Sequence, residues 1–113
     1  MKIGQLSKET KLSVYTIRFY EKIGLLQKPS KDQSGHRIYD ESDVELINWI
    51  ACLKNSGMSL NKIKEYSYAF RFKENNKLAE LLEIHLVKLK SQSVDIEHYI
   101  DVTEEKLKRL KNT

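Results

Sequence analysis

The stretch Tyr15–Leu26, YTIRFYEKIGLL, sets arginine, phenylalanine, tyrosine and glutamate side by side in one predicted helix. A helix that only packed against a core would keep its aromatics on one face. Each residue turns the side chain by about 100°; with Val14 at zero, Ile17 lies near 300° and Glu21 near 340°. On the same wheel of about 3.6 residues per turn, Tyr15, Phe19 and Lys22 gather near 100°, 140° and 80°, with Thr16 near 200°. Tyr20 flanks the aliphatic stripe and can be buried, whereas Arg18 falls between the two faces. The helix thus has an apolar back and an aromatic, cationic front, and such a front is poor surface unless something covers it.

Upstream, Ile3 and Leu6 are three apart, which predicts a first helix running to about Thr10. Ser13 then caps the second helix by accepting the backbone N–H of Thr16 or a neighbour, and Gly24 ends it in a left-handed cap. Two short helices joined by a turn make a helix-turn-helix, whose second member is the right size for a major groove. Downstream, the turn formers Pro29, Ser30, Asp32, Ser34 and Gly35 precede HRIYD, residues 36–40, in which Arg37 and Tyr39 share one face and Ile38 the other. This predicts a small hairpin, a wing, with a guanidinium and a phenol placed to hold phosphate oxygens.

A third helix is predicted with Ser42 or Asp40 as cap, Val44, Ile47, Ile50 or Ala51 and Leu53 buried, and Gly57 as stop. A fourth follows, capped by Ser59, with Leu60, Ile63, Tyr66 or Ser67 and Phe70 on its stripe. The start of this helix, beside Lys62, is suited to a phosphate. The polar run Arg71–Lys77 marks a boundary. Beyond it Ala79, Leu82, Leu86, Leu89, Ser93, Ile96, Ile100, Thr103, Leu107 and Leu110 recur at alternating steps of three and four residues. That heptad predicts a coiled-coil helix about 48 Å long at 1.5 Å per residue, which needs a partner, most simply a second copy. On the seam alone, parallel and antiparallel pairing stay open.

Charge divides the same way. Residues 1–73 carry net +5 and residues 74–113 net −1, so the front part is the one suited to a polyanion. The expected organisation is a winged helix-turn-helix domain over 1–73 and a dimerising coiled-coil helix over 74–113. No run approaches 18 uncharged apolar residues and MKIGQLSKET has no apolar core of a signal peptide, so a cytoplasmic protein with no membrane span is expected. One cysteine, Cys52, and three scattered histidines lack zinc-site spacing, and no metal or cofactor is expected. His36, His85 and His98 have no acid or nucleophile at catalytic spacing, so no enzyme is expected.

TIRFYEKIGLL, GHRIYDESDV and LKNSGMSLNKIKEY, followed by the long dimer helix, together resemble the MerR family of bacterial transcription regulators. The resemblance covers about residues 1–75, with the coiled coil matching in kind. It implies a mainly α winged helix-turn-helix homodimer that binds a pseudo-palindromic operator in double-stranded DNA. It also implies distortion of the promoter so that RNA polymerase can use it. Carried over by residue, the DNA contacts would be Ser13, Tyr15, Thr16, Arg18, Phe19 and Lys22, with Arg37 and Tyr39 from the wing and Ser59 and Lys62 from the fourth helix. Arg18 is the base reader of choice, since a guanidinium pairs in bidentate fashion with guanine. Many members have tyrosine where Phe19 stands, so one hydrogen bond is lost and the preferred sequence can differ.

WIACLKNSGMSLNKIKEYSYAF is most similar to the subgroup that answers aldehydes, other electrophiles or thiol stress, whose members carry a cysteine at the position of Cys52. With the chain ending at Thr113, any signal is expected near the existing helices, and Cys52 is the sensor the resemblance implies, facing a small electrophile. Near the C-terminal end of its helix, however, the dipole disfavours a thiolate. The expected dimer seam is Leu82, Leu86, Leu89, Ile96, Ile100, Leu107 and Leu110. The alternative reading is a coiled-coil adaptor or antirepressor whose winged domain binds protein. A DNA-architectural or excisionase-like factor is a further rival.

Overall fold

The computed structural model describes residues 1–113 and contains five helices and one two-stranded hairpin: α1 Ile3–Thr10, α2 Val14–Lys22, β1 Ser30–Lys31, β2 Arg37–Ile38, α3 Glu41–Asn55, α4 Leu60–Arg71 and α5 Asn75–Lys111. It separates into two compact units, residues 1–78 and 79–113. No helix is long and apolar enough to cross a membrane.

In the first unit α1 packs against α2 and α3, and α3 against α4. Leu6, Ile17, Ile47, Ile50 and Leu53 form the centre of the core, each no more than 2% exposed. Burial of this kind stabilises by about 1.5–3 kcal/mol per large aliphatic side chain. Leu25 and Leu26 close the core from the loop after α2, and Ile63, Tyr66, Ser67 and Ala69 from α4.

Helix starts follow local chemistry. The Ser13 hydroxyl accepts the Thr16 N–H at 3.1 Å, and the Ser59 hydroxyl accepts that of Lys62 at 3.3 Å. Asp40, rather than Ser42, caps α3 in a reciprocal box: its carboxylate accepts the Asp43 N–H while the Asp43 carboxylate accepts the Asp40 N–H. Helix ends repeat one device. After α2 and α3 a glycine adopts positive φ, Gly24 at 85° and Gly57 at 95°. The next residue then donates back into the last turn, Leu25 to the Tyr20 carbonyl and Met58 to that of Leu53, each at 2.9 Å, and buries its side chain.

Three stripe positions differ from expectation. Leu60, the first residue of α4 and predicted to be buried, is 50% exposed. Val44 of α3 and Phe70 of α4 are only half-buried, while Leu46, outside the predicted stripe, joins the core. The second unit is helix throughout, and Leu86, Ile96, Ile100, Leu107 and Leu110 of its heptad are each about half exposed.

Candidate nucleic-acid interface

The outward face of α2 stands where helical spacing puts it. Tyr15 is 80% exposed and Phe19 46%, with Arg18 and Lys22 also exposed, while Ile17 and Tyr20 are buried. Ser13 and Thr16 are tied together, their hydroxyl oxygens 2.9 Å apart, which stiffens the first turn of the helix.

Beside α2 the wing is a short antiparallel ladder pairing Ser30 with Ile38 and Lys31 with Arg37. Its turn is built on Asp32, whose carboxylate accepts the backbone N–H groups of Ser34 and His36, both at 2.9 Å. The His36 N–H, and with it that of Ser34, holds the Asp32 carboxyl below its usual range. Between wing and helix lies a cleft of about 360 Å³ lined by Arg18, Glu21, Lys22, Lys28, Pro29, Lys31 and Arg37. Five cations and a single carboxylate line it, and that carboxylate is already engaged. Glu21, its side chain 7% exposed, pairs with the Arg37 guanidinium at 3.2 Å and accepts the Tyr39 hydroxyl proton in a hydrogen bond.

Tyr39 therefore corrects the sequence reading. Arg37 and Tyr39 do turn to the same side, both meeting Glu21, but Tyr39 is 3% exposed and its hydroxyl donates to Glu21, so it braces the wing against α2 instead of gripping phosphate. Its backbone is fixed as well, by hydrogen bonds exchanged with Met1. Burial first, and then the bond to Glu21 and its negative charge, push the Tyr39 hydroxyl above its ordinary value. The Arg37 side chain remains 40% exposed.

Lys28 and Lys31 are cleft residues the sequence reading did not single out. They flank Pro29 in a segment that looks like generic loop until the hairpin folds it toward α2. At the start of α4, Lys62 is exposed and forms a surface pair with Glu65 at 3.1 Å, a contact weak enough to exchange for another anion. Cys52 is an exposed residue of α3 and is in no disulfide. No cluster of three or more histidine, cysteine or acidic residues converges to hold a metal ion.

Comparison with known proteins gives the cleft its context. The model of the MerR helix-turn-helix family of regulatory proteins matches residues 1–69. The transcriptional regulator YyaN of Bacillus subtilis is 34% identical across 93% of this chain and 86% of its own length. AdhR of the same organism is 39% identical over 62% of this chain and 50% of its own. A MerR family regulator from Listeria monocytogenes superposes with a TM-score of 0.84 at 27% identity, covering 95% of this chain and 83% of that one. HiNmlR, a MerR family regulator lacking the sensor domain and solved bound to promoter DNA, superposes with a TM-score of 0.71 at 29% identity, covering 89% and 78%. The chain belongs to the MerR helix-turn-helix family and is a DNA-binding transcriptional regulator, not an enzyme.

Proposed function

We propose that the protein binds a pseudo-palindromic promoter operator as a dimer, lays one α2 in the major groove of each half-site, and distorts the duplex to control its use by RNA polymerase. The observation that carries this reading is the continuity of the exposed Tyr15–Arg18–Phe19 face of α2 with the five-cation cleft beside it. Arg18 reads bases, and Lys22, Lys28, Lys31 and Arg37 hold flanking phosphates. Ser59 and Lys62 add contacts from α4. The similarity to HiNmlR, which was solved bound to promoter DNA, supports promoter binding. Distortion energies of a few kcal/mol are enough to switch such a site.

Dimerisation through α5 is supported by its half-exposed apolar seam, and the flanking charges favour an antiparallel pair. With Ile96 facing the partner's Ile100, Leu86 meets the partner's Leu110 and Leu89 the partner's Leu107. The two polar seam positions, Ser93 and Thr103, then meet each other. Lys90 falls beside the partner's Glu104 and Glu83 beside the partner's Lys111, whereas parallel pairing sets Lys106 against the partner's Lys111.

The test is selection of duplexes from a random pool, followed by salt titration. The expected result is tight binding with a steep negative log–log salt slope, lost with Arg18→Ala. Salt-insensitive binding to a protein partner, and none to DNA, marks the adaptor instead. For the inducer we place the signal at Cys52, an exposed residue of α3 that an aldehyde or other electrophile can reach. Promoter response to aldehyde or diamide is expected to disappear in Cys52→Ser; an unchanged response removes the sensor.

A further inference from the structure

Helices α3 and α4 also enclose a cavity of about 400 Å³, lined by Glu45, Asn48, Trp49, Tyr66 and Phe70. Two pairs of side chains four residues apart build it. Glu45 and Trp49 stand one turn apart on α3, and Tyr66 and Phe70 one turn apart on α4, so each helix sets two side chains toward the same space. The Trp49 and Tyr66 rings are tilted by 54°, with centroids 6.5 Å apart. Tyr66 is 7% exposed, whereas Trp49, at 37%, keeps more than a third of its surface in solvent.

The electrostatics of the cavity are one-sided. Glu45 is its only charged residue and makes no ion pair. The residues three and four positions away on α3 are Glu41, Ser42, Asn48 and Trp49, none of them a cation. The Glu45 charge reaches the aromatic wall: burial first, and that charge after it, hold the Tyr66 hydroxyl above its ordinary value against an opposing hydrogen bond from Trp49. Ring faces are themselves electron-rich, so carboxylate and rings favour the same sign of occupant. A neutral apolar occupant would strip water from Glu45 and leave it unpaired, and an anion would be repelled. A metal ion would find one carboxylate and one amide, too few ligands. What satisfies rings and carboxylate together is a cation whose charge is spread over an apolar body. One such ion can reach both facing rings, since a cation interacts with a ring within about 6 Å of its centroid. We propose that this cavity binds a small organic cation of the alkylated-ammonium class, its charge seated against Trp49, Tyr66 and Phe70 and balanced by Glu45. The site stands apart from the promoter-binding reading, none of whose side chains it includes.

Trp49 is the only tryptophan in the chain, so its fluorescence reports on the cavity without a label. The experiment titrates the full chain with choline and, separately, with 3,3-dimethylbutan-1-ol, its uncharged isostere, at constant ionic strength, with calorimetry alongside. The expected result is a saturable change in Trp49 emission with choline and binding at least about tenfold weaker for the alcohol. Glu45→Gln alters an exposed position, with helicity checked by circular dichroism, and is expected to cut that preference to about twofold or less. Trp49→Leu, which stays apolar, is expected to lose about tenfold in choline affinity by calorimetry and to bind the alcohol as before. Equal affinity for the two probes, no saturable change up to about 50 mM choline, or a folded Glu45→Gln protein that keeps the full preference each overturns the proposal. Emission that ignores choline but shifts as the protein is diluted from dimer to monomer also overturns it, assigning the cavity to a second copy.

Discussion

Glu21 shows how one residue can set the geometry of a binding face without belonging to it. Its carboxylate sits on α2, yet both of its partners, Arg37 and Tyr39, come from the wing. Glu21→Gln keeps the shape and removes the charge. Because Arg37 is 40% exposed, the expected loss is about 1–2 kcal/mol, less than for a fully buried pair, and urea denaturation measures it. Tyr39 adds a pH signature. Its proton is held above the ordinary value of 10.0, so as pH rises through that value the unfolded chain loses the proton first. The stability Tyr39 contributes is complete below pH 10 and declines above it, and Tyr39→Phe is expected to flatten that alkaline limb in thermal melts. The hydroxyl of Ser67, buried with no hydrogen-bond partner, gives the opposite kind of residue. Ser67→Ala is expected to raise stability by about 1 kcal/mol in the same denaturation assay. Alternation along HRIYD correctly put Arg37 and Tyr39 on one face. What it could not reveal was that a carboxylate 18 residues earlier than Tyr39 would meet both.

At the level of elements, three helices finish in the same way, but only two do so with glycine. After α4 the left-handed position falls on Lys73, at φ 55°, and Glu74 donates back to the Ala69 carbonyl at 2.9 Å. A lysine there carries a conformational cost that glycine avoids, partly offset by the greater freedom glycine has when unfolded. Lys73→Gly is expected to add about 0.5 kcal/mol, read as a small rise in melting temperature. This ending was hidden in the sequence because no glycine announced it, whereas Gly24 and Gly57 marked the other two plainly. The start of α3 behaves similarly. The Ser42 hydroxyl and the Asp43 N–H hold the Asp40 carboxyl below its usual range, so the cap is present above that range and lost as pH falls through it. Asp40→Ala is expected to cost about 1 kcal/mol at neutral pH, with the difference from wild type closing in acid.

For the whole molecule, function as proposed depends on an assembly. The α5 seam keeps large aliphatic side chains half exposed along a helix about 55 Å long at 1.5 Å per residue, more apolar surface than an isolated rod keeps in water. Ile96→Glu buries a charge beside the partner's Ile100 in the proposed register and is expected to give a folded monomer by sedimentation velocity. That monomer should lose cooperative binding to a two-half-site duplex while each head stays folded.

Local and periodic signals were enough to read the helix-turn-helix, its Ser13 cap, the outward face of α2 and the long helix α5. Each is set by neighbours within one or two turns, and a short stretch of sequence contains all the terms. Only the tertiary structure decided that Tyr39 is a brace, that Lys28 and Lys31 join Arg18 in one cleft, and that Leu60 stands open at the start of α4. Those facts depend on where a loop or a second helix returns in space, and contacts between residues far apart in the chain have no periodicity from which to infer them.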